Sequence, residues 1–296
     1  MKERICSLPL SNGEELFYRQ CGEEGKVVLL LHGNYSSSVV WEDILEELVD
    51  EYRLYAIDMR GFGKSSYRHP ARTLQEYAKD IELFIEAMDF DEIILVGWSA
   101  GGGVAMEVAA DLKEKIQKMI LVSSVPVNGY KSTYRVPIVL QQYLRCMFPV
   151  PMYFMDKFNP CQMVSVLASN RSTVEEGLKD YMYHRKKPRP EFLKEMINSV
   201  MEQRNNVDFW EAFSTFNMTE RTIGLRHGSG RIHEITCPIV QFHGMEDRII
   251  PYCEAKYNQK ILGEKSNFVS FKYSGHSIMT DEKEKFVEEL RQAFAS

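Results

Sequence analysis

The sequence predicts an α/β fold, a mostly parallel sheet with helices on both faces. Three observations carry this expectation. Strand-length apolar runs alternate with helical stretches over the first 125 residues. The run Val27–Leu31 is apolar at every position, as a strand covered on both faces requires. The alternation then breaks off and resumes near residue 238, so one α/β unit is interrupted by an insertion.

In chain order, residues 16–21 and Val27–Leu31 read as strands, 41–49 as a helix, and Arg53–Ile57 as a strand ending at Asp58. Residues 73–88 read as a helix. Thr73 and Glu76 have capping-box spacing, and Leu74, Tyr77, Ala78, Ile81, Phe84, Ile85 and Met88 form one apolar stripe. A strand is expected over 92–96, a small-residue helix over 100–112 and a strand over 119–122. From 126 to 234 no strand of that quality follows; several prolines punctuate helical stretches. Then come a strand over 238–242, a helix over Tyr252–Leu262, a strand over 268–273 and a helix over 281–294. The expected organisation is a core of residues 1–125 and 235–296 with a helical insertion of residues 126–234.

Composition bounds the function classes. With 296 residues, 44% hydrophobic and 26% charged, the chain is neither disordered nor a small disulfide-stapled scaffold. A net charge of −6 offers no basic footprint for nucleic acid. No run approaches membrane-spanning length, and no apolar stretch follows the N-terminal charges as in a secretory signal, so cytoplasm is the expected location. The six scattered cysteines are expected as free thiols.

The chemistry concentrates in a few short segments. Gly97-Trp98-Ser99-Ala100-Gly101 lies directly after a strand and before a helix, the context in which G-x-S-x-G carries a nucleophile. The sharp turn pushes the serine hydroxyl over the carboxyl edge of the sheet. The flanking glycines, Gly97 and Gly101, are needed because side chains there would collide with the neighbouring strand and helix. A serine hydroxyl needs a base. Of seven histidines, His276 fits best, just past the last strand in Tyr273-Ser274-Gly275-His276. The base needs an orienting carboxylate. Asp247 follows the 238–242 strand, with Glu246 as the neighbouring alternative. No carboxylate follows the preceding strand, which ends in Ser123-Ser124-Val125. The Gly61-Phe62-Gly63-Lys64-Ser65 segment lacks the first glycine of a phosphate loop, because Asp58 stands there.

In the order Ser99, Asp247, His276 the chain resembles the α/β-hydrolase superfamily in its cap-bearing form. Two further segments carry the resemblance: His32-Gly33-Asn34 at a strand end, like the family's HG-x motif, and Asp58-Met59-Arg60-Gly61-Phe62-Gly63-Lys64-Ser65, like its D-x-R-G-x-G-x-S loop. The resemblance implies an eight-stranded sheet with a helical cap inserted after the sixth strand. It also implies an oxyanion hole made by the backbone N–H groups of Asn34 and Ala100, with His32 and Gly33 structural. The HGN start is shared with relatives that use an aspartate nucleophile, whereas position 99 is serine.

The expected function is a serine hydrolase cleaving a carboxylic ester or related acyl bond of a small, partly apolar molecule, through an acyl-enzyme on Ser99. No metal or cofactor, no nucleic acid and no membrane span are expected, and the chain is read as a monomer or homodimer. Two alternatives use the same residues: hydrolysis of a carbon–carbon bond next to a carbonyl, and ligand sensing without catalysis. In the insertion, Met147, Phe148, Met152, Tyr153, Phe154, Met155 and Trp210 are candidates to line an apolar pocket above Ser99 or to form the cap's own core.

Overall fold

The structure, a computed structural model, describes residues 3–129, 171–223 and 227–295. Eight strands form one sheet: β1 (Arg4–Pro9), β2 (Glu15–Cys21), β3 (Val27–Leu31), β4 (Arg53–Ile57), β5 (Ile93–Trp98), β6 (Ile116–Val122), β7 (Ile239–Gly244) and β8 (Ser266–Phe271). Their spatial order is β1-β2-β4-β3-β5-β6-β7-β8. The first two strands run antiparallel to their neighbours, and every pairing from β4 to β8 is parallel.

The central strand β3 is apolar throughout because both its faces are covered. Along β3, Val27, Leu29 and Leu31 enter one core while Val28 and Leu30 enter the other. The period of two divides a continuous apolar run between two layers. Helices α2 (Leu74–Ala87) and α3 (Ala100–Asp111) cover the first face, and α1 (Glu42–Leu48) and α8 (Lys283–Ala295) the second. The capping box expected on α2 is formed in full: Thr73 Oγ1 accepts from Glu76 N–H and Glu76 accepts from Thr73 N–H. Helix α7 (Tyr252–Leu262) has the expected bounds.

Two expectations are corrected. The sequence reading passed over β1, whose side chains are all exposed or half-buried and so lack a clear apolar face. The expected helix over 281–294 is two elements. A single turn, Ile278–Asp281, ends before α8 begins at Lys283, and Glu282 between them has φ −129, outside helical geometry. The cause lies in Asp281, whose carboxylate is taken up by backbone N–H groups elsewhere.

Between β6 and β7 the chain forms α4 (Arg171–Tyr181), α5 (Pro190–Glu202) and α6 (Asn206–Thr215). Among the described residues, their buried side chains join the two layers of the sheet and form no separate core. Val174, Leu178, Phe192 and Met196 extend the apolar layer on the α1 and α8 side, and Phe209 and Phe213 extend the layer on the α2 and α3 side. Phe209 packs edge-on against both Phe62 and Tyr77. The candidate pocket residues from Met147 to Met155 lie outside the described residues. Cys21 and Cys237 are buried free thiols, Cys6 is half-buried, and Cys253 is exposed. Among the described residues, no helix is long and apolar enough to cross a membrane.

Candidate active site

Ser99 stands between β5 and α3 with φ 55 and ψ −121, backbone that a residue with a side chain rarely adopts. Close packing holds it there. A Cβ on Gly97 would lie 2.4 Å from Gly101 O, and one on Gly101 would lie 2.4 Å from His32 O. Ser99 N–H donates to Val122 O at 2.9 Å, and its carbonyl accepts from Val125 N–H at 3.1 Å, so the turn is tied to the end of β6 and to the chain just after it.

His276 is 1% exposed, and its Nδ1 lies 2.8 Å from Asp247 Oδ2. A carboxylate only accepts, so Nδ1 donates and Nε2 is left as the basic nitrogen. The Trp98 indole N–H donates to His276 O at 3.1 Å and its ring lies 5.3 Å from the imidazole, so the residue before Ser99 helps seat the histidine.

Asp247 spends its other oxygen on the loop that carries it: Oδ1 accepts from Ile249 N–H and Ile250 N–H at 2.8 and 2.9 Å. Burial pushes its pKa up, but His276, His243 and the Ile250 N–H outweigh it and hold the carboxyl below its ordinary value. His243 donates from Nε2 to Ile250 O at 2.9 Å, and that nitrogen is also 3.4 Å from Asp247 Oδ2. Burial lowers the His243 pKa, so it serves as a neutral neighbour of the carboxylate. Glu246 is exposed and points its chemistry elsewhere; of the two acidic candidates only Asp247 meets His276.

His32 and Gly33 build the opposite wall. Met59 N–H donates to His32 Nε2 at 3.0 Å, so Nδ1 carries the proton and donates to Gly33 O at 2.7 Å. Burial holds this imidazole below its ordinary pKa, with Asp58 opposing. Gly33 is packed against the serine itself, since a Cβ there would lie 2.8 Å from Ser99 Cβ.

One cavity collects these groups. Ser99, His276, Asn34 and Ala100 line it together with Tyr35, Met182, Trp210, Phe213, Ile249 and Ile250. Among the described residues, neither the Asn34 nor the Ala100 backbone N–H has an acceptor. For Ala100 this follows from its place at the first position of α3, where helical N–H groups have no partner within the helix. The lining is otherwise apolar, and no charged side chain is among the described residues that form it. Trp210, a candidate either for the pocket lining or for the cap's own core, lines the cavity and also packs against the core. The lining roles of Met182, Phe213, Ile249 and Ile250 were not singled out from the sequence, where nothing distinguishes them from core residues.

Comparison with known proteins agrees with this architecture. A sequence model described as alpha/beta hydrolase fold matches residues 26–147. The pimeloyl-[acyl-carrier protein] methyl ester esterase of Vibrio vulnificus (strain YJ016) is 25% identical over 90% of this chain and 93% of its own length. The non-heme chloroperoxidase of Streptomyces lividans is 25% identical over 93% and 94%. Among solved structures, an esterase (EaEST) from Exiguobacterium antarcticum superposes with a TM-score of 0.75 at 20% identity, covering 98% of this chain and 99% of that one. The family model and the solved structures agree on an alpha/beta hydrolase fold for this chain. In this chain the inserted helices follow β6, the place expected for a cap.

Sequence reasoning also missed the polar fastenings around the cavity. Asp281 accepts from the backbone N–H groups of Gly275, His184, Arg185 and Lys186 at 2.7 to 3.2 Å. It thereby joins the residue before His276 to the turn after α4. Gln203 and Asn205, on the turn between α5 and α6, bond to the loops after β3 and β4. Their partners are far away in the chain, and no local pattern marks them.

Proposed function

We propose that this chain is an α/β-hydrolase of the serine type, cleaving a carboxylic ester of a small, partly apolar molecule through an acyl-enzyme on Ser99, with residues 126–234 as its cap. The observation that carries the reading is the cavity shared by Ser99, by a His276 oriented on Asp247, and by two N–H groups that have no acceptor among the described residues. The esterase activity named for the Vibrio relative supports it.

In this scheme His276 Nε2 takes the proton from Ser99 Oγ as the hydroxyl attacks the ester carbonyl. Asp247 stabilises the imidazolium that results. The Asn34 and Ala100 N–H groups hold the tetrahedral oxyanion; such preorganised donors commonly contribute about 3–4 kcal/mol each. His276 returns its proton to the leaving alcohol, then activates a water that frees the acid from Ser99. The apolar lining excludes water and suits a neutral acyl or alcohol group.

The test is a panel of short-chain p-nitrophenyl esters combined with a fluorophosphonate label. Ser99→Ala is expected to abolish labelling and to lower kcat by about 10⁴-fold or more. Labelling that survives this substitution would rule the scheme out.

A further inference from the structure

Among the described residues, the Gln203 side chain joins the inserted helices to the turn after β3 that carries Asn34. Its Nε2 donates to Asn34 Oδ1 at 2.9 Å and to Asn205 Oδ1 at 3.0 Å, and its Oε1 accepts from Tyr35 N–H at 3.1 Å. Asn34 Oδ1 also accepts from Tyr35 N–H, at 3.0 Å. Asn205, which braces Gln203, donates to Arg60 O at 2.8 Å and to Tyr77 Oη at 3.0 Å. Gln203 is 6% exposed and Asn205 1%.

The turn it grips is under strain. Tyr35 has φ 55, a left-handed conformation that a residue with a side chain rarely adopts. Left to itself the turn would relax toward ordinary φ and swing the peptide on either side. Gln203 opposes this, because relaxation would break its bond to Tyr35 N–H and tilt Asn34 away from its amide. The same bonds decide which N–H the cavity receives: that of Tyr35 is consumed by Gln203 and Asn34, whereas that of Asn34 has no acceptor among the described residues.

We infer that Gln203 is a positioning residue for the oxyanion hole, a cap amide that locks the Asn34–Tyr35 turn so that the Asn34 N–H, and not the Tyr35 N–H, serves the tetrahedral intermediate. The inference rests on the reading of Ser99 as nucleophile and goes beyond it. It makes the cap a part of the catalytic geometry and not only a cover over the substrate.

The experiment is steady-state kinetics on p-nitrophenyl esters with Gln203→Met, Gln203→Glu and Asn34→Ala, together with binding of a boronic acid that forms a tetrahedral adduct with the serine. Gln203→Met keeps the size and loses all three bonds. Gln203→Glu keeps the acceptor for Tyr35 N–H but has no donor for Asn34. Asn34→Ala cuts the link from the core side while retaining its backbone N–H, and so tests the idea even if the cap variants fold poorly. Each is expected to lower kcat about 10- to 100-fold, as misplacement of a catalytic group by about 1 Å does, with KM within about twofold. Boronic acid affinity should fall with kcat. Gln203→Met and Asn34→Ala should not be additive, because they break one link. Unchanged kcat in these variants, or equal loss of kcat and boronic acid affinity that adds fully in the double variant, would overturn the inference. Ser99→Ala separates the two failures: if it abolishes activity while the Gln203 variants retain theirs, only this inference falls.

Discussion

The two flanks of the cavity, the proposed acid–base flank and the proposed oxyanion flank, are fastened by different chemistry. On the acid–base flank, Asp247 holds His276, a second imidazole lies beside the same carboxylate, and Asp281 ties the residue before His276 to the cap. On the oxyanion flank, the Asn34–Tyr35 turn is gripped by neutral amides and by His32, an imidazole that burial keeps uncharged. The first flank depends on carboxylates meeting donors, and the second on neutral groups in fixed orientation. The difference teaches which perturbations reach which flank. Removing a negative charge should strike the first and spare the second.

The largest effect expected on the acid–base flank is that of Asp247→Asn. The amide can present an N–H to His276 and favour the wrong tautomer, so kcat should fall by about 10³- to 10⁴-fold while fluorophosphonate labelling slows in parallel. Glu246→Gln, at the exposed neighbouring carboxylate, should leave kcat within about twofold. If the two variants were equally impaired, the assignment of the orienting acid would fail.

Asp281→Asn should come next. Its carboxylate accepts four backbone N–H groups, and an amide in its place turns a donor toward some of them. Leaving one or two buried donors unmet should cost about 2–4 kcal/mol, read as a lower urea midpoint. Because Gly275 is one of the four, kcat should fall as well, by about tenfold. A variant with normal stability would mean that Asp281 is not the fastening described here.

The smallest effect expected is that of mild acid. Burial holds His32 and His243 below their ordinary value of 6.5, so the unfolded chain binds protons there before the folded chain does. Their contribution to stability is complete above that value and is lost as the pH falls below it. Asp247, held below its ordinary value of 3.8, loses its contribution only as the pH falls through the carboxylate range and beneath it. The urea midpoint should therefore begin to drop between about pH 6.5 and 5. His243→Gln should flatten part of that dependence, and a midpoint equally steep in the variant would count against His243 as a buried neutral group.

Much of the core was legible because its signals are local. The strand–turn–helix around Ser99, the capping box at Thr73 and the bounds of α7 depend on neighbours within a few residues. Asp247 and His276 were legible for the same reason, each standing just past a strand of the sheet. Where a local signal was weak or misleading, the reading failed. β1 pairs with β2 as a hairpin but has no buried face to betray it, and Asp281 looks like a helix-starting acid until its four distant donors are seen.

By itself the sequence determined the class of fold and offered Ser99, His276 and Asp247 as candidates for nucleophile, base and acid, because periodicity and turn chemistry operate over short stretches of chain. Only the tertiary structure decided what encloses them. Gln203 and Asn34 are 169 positions apart, and Asp281 lies 97 positions from His184. A glutamine or an aspartate gains such a partner only when folding brings two loops within hydrogen-bond reach, and no pattern along the chain records that meeting.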